Sequence, residues 1–241
     1  MTSININMGW ILSLFCGYDI DMNKNSSFLT INILDIVTFV LMVLGITFSI
    51  FDVRFMVDLP RLSTLPILMT FTGLSNVFIG VVCLLCALYR IIKKERVLSK
   101  ALFVLKIIAL ADITITFIIT ATYLSFSLGN EWWRLYINNN IFNHLLTPLL
   151  SIVTFIIFEQ YVEINWKLCF LCFIPLSLYG FVYLDNVYTH LTPDGKTSLD
   201  YDIYGFCRFG VGILILFLIG FLATSFGLTF LYRLINKQKR S

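Results

Sequence analysis

Six apolar runs constrain this chain more than any motif in it: residues 31–52, 65–92, 101–127, 140–161, 167–185 and 204–235. A bilayer core about 30 Å thick needs about 20 apolar residues per crossing helix, and each run is of that order. Hydrocarbon offers no water to backbone N–H and C=O groups, so such runs must close their hydrogen bonds within themselves, as helices. The expected fold is all-α: a polytopic membrane protein of six transmembrane helices. The breaks between runs carry turn and charge signals. Residues 52–61 hold four charges and Pro60, Arg90–Lys100 is basic, and residues 185–202 contain Pro193-Asp194-Gly195. With no internal repeat and no second domain, three regions are expected. These are a cytoplasmic or interfacial segment (1–30), the transmembrane domain (31–235) and a basic cytoplasmic tail (236–241).

Of the 241 residues, 59% are hydrophobic and 13% charged, with mean hydropathy +0.89. Soluble domains carry about twice that charge, which excludes a soluble enzyme, a nucleic-acid-binding module and a disordered chain. The lipid bilayer is therefore the expected partner. Orientation follows from Lys and Arg on alternate sides of the runs. Eleven fall on the side of Lys24, Arg90–Lys100, Lys167 and Arg233–Arg240, against five on the other, with Lys106 inside a run. Both termini are thus expected in the cytoplasm, and in a bacterial cell the membrane would be the plasma membrane. The basic 90–100 stretch reads as a topology determinant, not a nucleic-acid patch.

Polar residues inside the runs fall in helical stripes: Thr72, Ser75, Asn76, Cys83 and Cys86; Asp112, Thr116, Thr120 and Tyr123; His144, Thr147, Ser151 and Thr154. Polar groups in hydrocarbon must face the bundle interior, and an intramembrane carboxylate marks a functional site by default. Pro148 lacks an N–H, so the carbonyl of His144 loses its helical partner and a kink is expected there. At 1.5 Å per residue, Thr72, His144 and Asp112 fall within about 8 Å of one another in depth. Asp35 and Glu159, near inner ends of their runs, read as interfacial anchors, and Lys106 as a snorkelling side chain. Trp132, Trp133 and Trp166 read as aromatic-belt residues. His190 reads as a loop histidine. Cys83-x-x-Cys86 and Cys169-x-x-Cys172 have zinc-ligand spacing, but within apolar helices they read as packing residues; no metal and no cofactor is expected.

Phe71-Thr72 with Ser75-Asn76, Asn143-His144 with Pro148, and Tyr204-Gly205-Phe206 before the last run together resemble one family. This is the androgen-induced-gene/FAR-17a-like group of membrane proteins, especially its bacterial relatives. Those have six spans, an F-T-x-x-S-N signature, a helix beginning H-x-x-x-P and a Y-P-F element before the last helix. The resemblance covers most of residues 60–230. Animal members hydrolyse esters of hydroxy fatty acids with a membrane threonine and histidine, which would here be Thr72 and His144. Two departures stand out: Gly205 replaces the proline of Y-P-F, and His144 to Pro148 is one residue shorter than in animal members.

The resemblance thus implies a lipid (acyl-ester) hydrolase with an outer-leaflet site. A threonine hydroxyl needs an adjacent base, here His144, and the base needs an orienting partner, for which Asp112 is the available carboxylate. Ser75 and Asn76 could donate to a developing oxyanion, with Asn143 as a supporting polar residue. Two readings stay open beside it: a small-solute transporter lined by the same stripes, and a non-catalytic membrane subunit.

Overall fold

The computed structural model describes residues 24–52, 67–197, 201–202, 204–207 and 210–239. Every regular element among the described residues is a helix. We label the six main helices α1 (Lys24–Ile50), α2 (Phe71–Lys93), α3 (Lys100–Ile119), α4 (Thr147–Phe158), α5 (Phe173–Thr189) and α6 (Val211–Gln238). Residues 1–23 of the expected N-terminal segment lie outside the described residues. The rest of that segment is already helical, so α1 begins earlier than residue 31.

Local chemistry sets the helix ends. Thr70 caps α2 by accepting from the Gly73 N–H at 3.0 Å, and Lys94 ends that helix in the left-handed region (φ 56°). Ser99 caps α3 in the same way as Thr70. α3 runs on through a wide π turn (Thr120–Leu124) to Leu128. A second π turn, Phe142–Leu146, stands immediately before α4 and Pro148. The kink expected at His144 thus takes the form of a π turn, which absorbs the hydrogen bond that Pro148 cannot make.

Five helical stretches are long and apolar enough to cross a membrane: Ser27–Ile50, Phe71–Lys93, Lys100–Tyr136, Trp166–Thr189 and Gly212–Gln238. The remaining apolar helix, Phe142–Phe158, is shorter, because Glu159 leaves helical geometry (ψ 138°) where the sequence run continues to residue 161. Among the described residues the chain is thus all-helical, with the long apolar helices of a multi-pass membrane protein. α3 is the central helix, with Phe103, Ile107, Leu110 and Ile113 fully buried. α5 and α6 instead turn large apolar side chains outward, Phe181 being 73% and Leu216 68% exposed. Water would not tolerate such faces, but lipid does. Trp132, Trp133 and Trp166 are also exposed.

At the basic end of the bundle the structure corrects the sequence expectation for three residues. Asp35, Glu159 and Lys106 are neither interfacial anchors nor a snorkelling side chain; all are buried, and so is Arg90. They close a four-membered ionic ring. Arg90 Nη1 lies 2.7 Å from Asp35 Oδ2, and Nη2 lies 2.6 Å from Glu159 Oε1. Lys106 Nζ lies 2.9 Å from Asp35 Oδ1 and 2.7 Å from Glu159 Oε2. Two positive and two negative groups cancel, and Arg90 Nε donates to the Arg96 carbonyl at 3.2 Å. Burial of charge is tolerated in this form, with every ion paired. The ring joins α1, α2 and α3 to the end of α4.

Candidate functional site

At the opposite end of the bundle the N-terminal turn of α2 meets the π turn before α4. The side-chain amide of Asn76 ties them together, its Nδ2 donating to the Thr72 carbonyl at 2.8 Å and to the Asn143 carbonyl at 2.9 Å. Ser75 Oγ donates to the Thr72 carbonyl at 3.1 Å and pairs with Thr116 Oγ1 at 2.7 Å. Thr116 in turn bonds the Asp112 carbonyl at 3.3 Å. Asn143 reaches α1, where its Nδ2 donates to Ser49 Oγ at 3.1 Å and to the Gly45 carbonyl at 3.4 Å. A Cβ at Gly45 would collide with the Asn143 carboxamide oxygen, so this approach of α1 requires glycine.

These contacts draw together the elements that carry Thr72, Ser75, Asn76, Asn143 and His144, but they assign several of them to bracing. Both N–H groups of Asn76 are committed to carbonyls, so neither is free for an oxyanion. His144, in the π turn and 8% exposed, holds the Leu135 carbonyl through Nδ1 at 2.8 Å. A carbonyl only accepts, so the neutral ring carries its proton on Nδ1 and leaves Nε2 as the basic nitrogen. The Leu135 carbonyl thus fills the orienting role expected of Asp112. Among the described residues no hydrogen bond joins His144 to Asp112 or to Thr72.

Thr72 faces a cavity of about 190 Å³. Its walls come from α3, α5 and α6 and from residues 204 and 206, and they are largely aromatic and aliphatic, including Ile119, Leu176, Phe206 and Phe221. Phe181, the exposed side chain noted above, belongs to the lining, so the cavity reaches the outer surface of the bundle. The polar end is made by Thr72, Thr116 and Thr120 with Tyr179 and Tyr204. Tyr204 is the site residue that sequence reasoning cited only as part of a motif. Its hydroxyl accepts from the Phe71 N–H at 3.1 Å and stands against Thr72 and Tyr179.

The segment carrying Tyr204 is held from both sides. Tyr123, in the first π turn, donates to the Tyr204 carbonyl at 2.8 Å. Asp202 accepts from Tyr183 Oη and, through its other oxygen, from the Cys207 N–H at 3.2 Å. Gly205 between them sits at φ 66°, a conformation closed to proline, whose φ is locked near −65°.

His190 stacks on Tyr201 with ring centroids 3.9 Å apart and bonds the Asn186 carbonyl in the last turn of α5 at 2.8 Å, away from the cavity lining. Cys83, Cys86, Cys169 and Cys172 are free and buried. Compared with known proteins, the chain matches no family model, no curated protein and no solved structure.

Proposed function

We propose that this protein is a lipid-ester hydrolase of the membrane, with six membrane-crossing segments, both termini in the cytoplasm, and its site in the outer half of the bilayer. The observation that carries the reading is the place of Thr72, where an apolar cavity ends and a polar cluster begins. An acyl chain suits the aromatic and aliphatic walls, and its ester then lies against Thr72. Phe181 on the rim gives the chain a lateral way in from lipid. The resemblance to the androgen-induced-gene/FAR-17a-like family points to the same threonine and histidine.

In this reading His144 Nε2 takes the proton of Thr72 Oγ as that oxygen attacks the ester carbonyl carbon. The carbonyl oxygen gains the negative charge and is stabilised by the Tyr204 O–H. Collapse of the intermediate breaks the bond to the alcohol oxygen, which receives the proton back from His144, and water then repeats the sequence on the acyl-threonine. Such catalytic hydrogen bonds are commonly long without substrate and tighten with it. Leu135 holds the imidazole throughout, so Asp112 has no step in the reaction.

The test uses purified protein in detergent with a fluorophosphonate probe, comparing wild type with Thr72→Ala and His144→Ala. Labelling of wild type, lost in both variants while circular dichroism stays native, is the expected result. A wild type that neither labels nor turns over a p-nitrophenyl acyl ester removes the reading, and the cavity is then better read as part of a transport path.

A further inference from the structure

Between Thr114 and Leu124, on α3 and its continuation, the threonines do not all spend their hydroxyls in the same way. Thr114, Thr116 and Thr122 each donate to the carbonyl four residues back, at 2.6, 3.3 and 2.7 Å. That is the usual way a threonine hydroxyl is satisfied inside a helix. Thr120 breaks the pattern. Its Oγ1 has no hydrogen-bond partner among the described residues, although the residue is only 1% exposed. Thr120 lines the cavity, as does Thr116 one helical turn before it.

A hydroxyl has one proton to give, and a buried donor left without an acceptor costs free energy. The other oxygens at the polar end of the cavity are engaged elsewhere. Thr116 Oγ1 is taken by Ser75 Oγ at 2.7 Å and by the Asp112 carbonyl. Tyr204 Oη meets the Phe71 N–H, Thr72 and Tyr179. Ile119 and Leu124, the lining residues that flank Thr120 on its own helix, have no acceptor in their side chains. The acceptor for Thr120 therefore has to arrive with the occupant of the cavity. The hydrocarbon walls suit an acyl chain, and the acceptor such a chain brings is the carbonyl oxygen at its head.

We infer that Thr120 is a ligand-binding residue of the cavity, its hydroxyl donating to the carbonyl oxygen of an acyl chain. That this carbonyl belongs to an ester rests on the hydrolase reading; the hydrogen bond itself needs no reaction. In that reaction Thr120 is a second donor, beside Tyr204, to the oxygen that gains charge. The test separates binding from turnover. Methyl nonyl ketone presents a carbonyl oxygen and no ester bond, and undecane has the same chain length and no acceptor. Each is titrated into the full chain in detergent, as a mole fraction of the micelle, and the unfolding midpoint is followed. Wild type should half-saturate with about tenfold less ketone than alkane, roughly the worth of one neutral hydrogen bond. Thr120→Val keeps the shape without the hydroxyl and should lose most of that preference, while Thr120→Ser should restore it. Thr120→Ala gives the same reading if the valine variant fails to fold. A wild type that binds ketone and alkane alike, or binds neither, overturns the inference, and so does a Thr120→Val that keeps the full preference. A preference lost in Thr120→Val, in a protein that turns over no ester, upholds Thr120 and removes the hydrolase reading alone.

Discussion

Arg90 touches both carboxylates of the buried ring, so Arg90→Met leaves Asp35 and Glu159 sharing Lys106 alone. Breaking a buried ion pair on one side costs about 3–5 kcal/mol, while removing a matched pair is often close to neutral. Arg90→Met and Glu159→Leu should therefore each lower the unfolding midpoint sharply in detergent, and the double variant should recover most of the loss. A double variant as unstable as either single one would mean that the ring contributes packing and not charge pairing. The ring also marks where the sequence stopped being legible. Hydropathy gives a residue its depth, but not the direction in which it points. Each of Asp35, Lys106 and Glu159, taken alone near a helix end, fits an anchor. The available signal was collective: two acids and two bases at similar depth on four segments, summing to zero. Arg90, counted with the basic loop, hid that balance.

The π turn at Phe142–Leu146 is the element on which the proposed chemistry turns. Pro148 denies the His144 carbonyl its helical partner, and the wide turn that results carries the imidazole toward Leu135 and the Asn143 carbonyl toward Asn76. Pro148→Ala restores the missing N–H and lets the turn tighten to an ordinary α-helix, which rotates His144 off its present bearing. The expected outcome is an unfolding midpoint within a few degrees of wild type and a fluorophosphonate labelling rate at least tenfold lower. Unchanged labelling would separate the turn from the chemistry. A kink here was readable from Pro148, whereas the shared depth of Thr72, His144 and Asp112 only allowed them to meet, and His144 is held instead by the Leu135 carbonyl. The bracing role of Asn76 was not readable, because spacing cannot say where both hydrogens of an amide will go. Tyr204 shows the same limit: it lies outside the helices, and only a segment held by Tyr123 and Asp202 brings its hydroxyl to Thr72.

Across the whole molecule the polarity of the two ends can be tested directly. In a cysteine-free background, a single cysteine at Lys196 should react with an impermeant maleimide in intact cells. One at Gln238 should react only after the membrane is opened. The reverse pattern would invert the orientation and move the cavity to the inner leaflet. The buried ring bears on how such a chain is made. Its members leave the ribosome in the order Asp35, Arg90, Lys106, Glu159, so the balance is neutral after α2, carries an excess cation after α3, and closes only with the end of α4. Insertion scales put a charged residue at a helix centre at about 2.5–3.5 kcal/mol. Lys106 therefore has no second acid to share its charge with until the end of the fourth helix arrives. A chain ending between residues 128 and 140 would hold one cation more than it has acids to match within the ring.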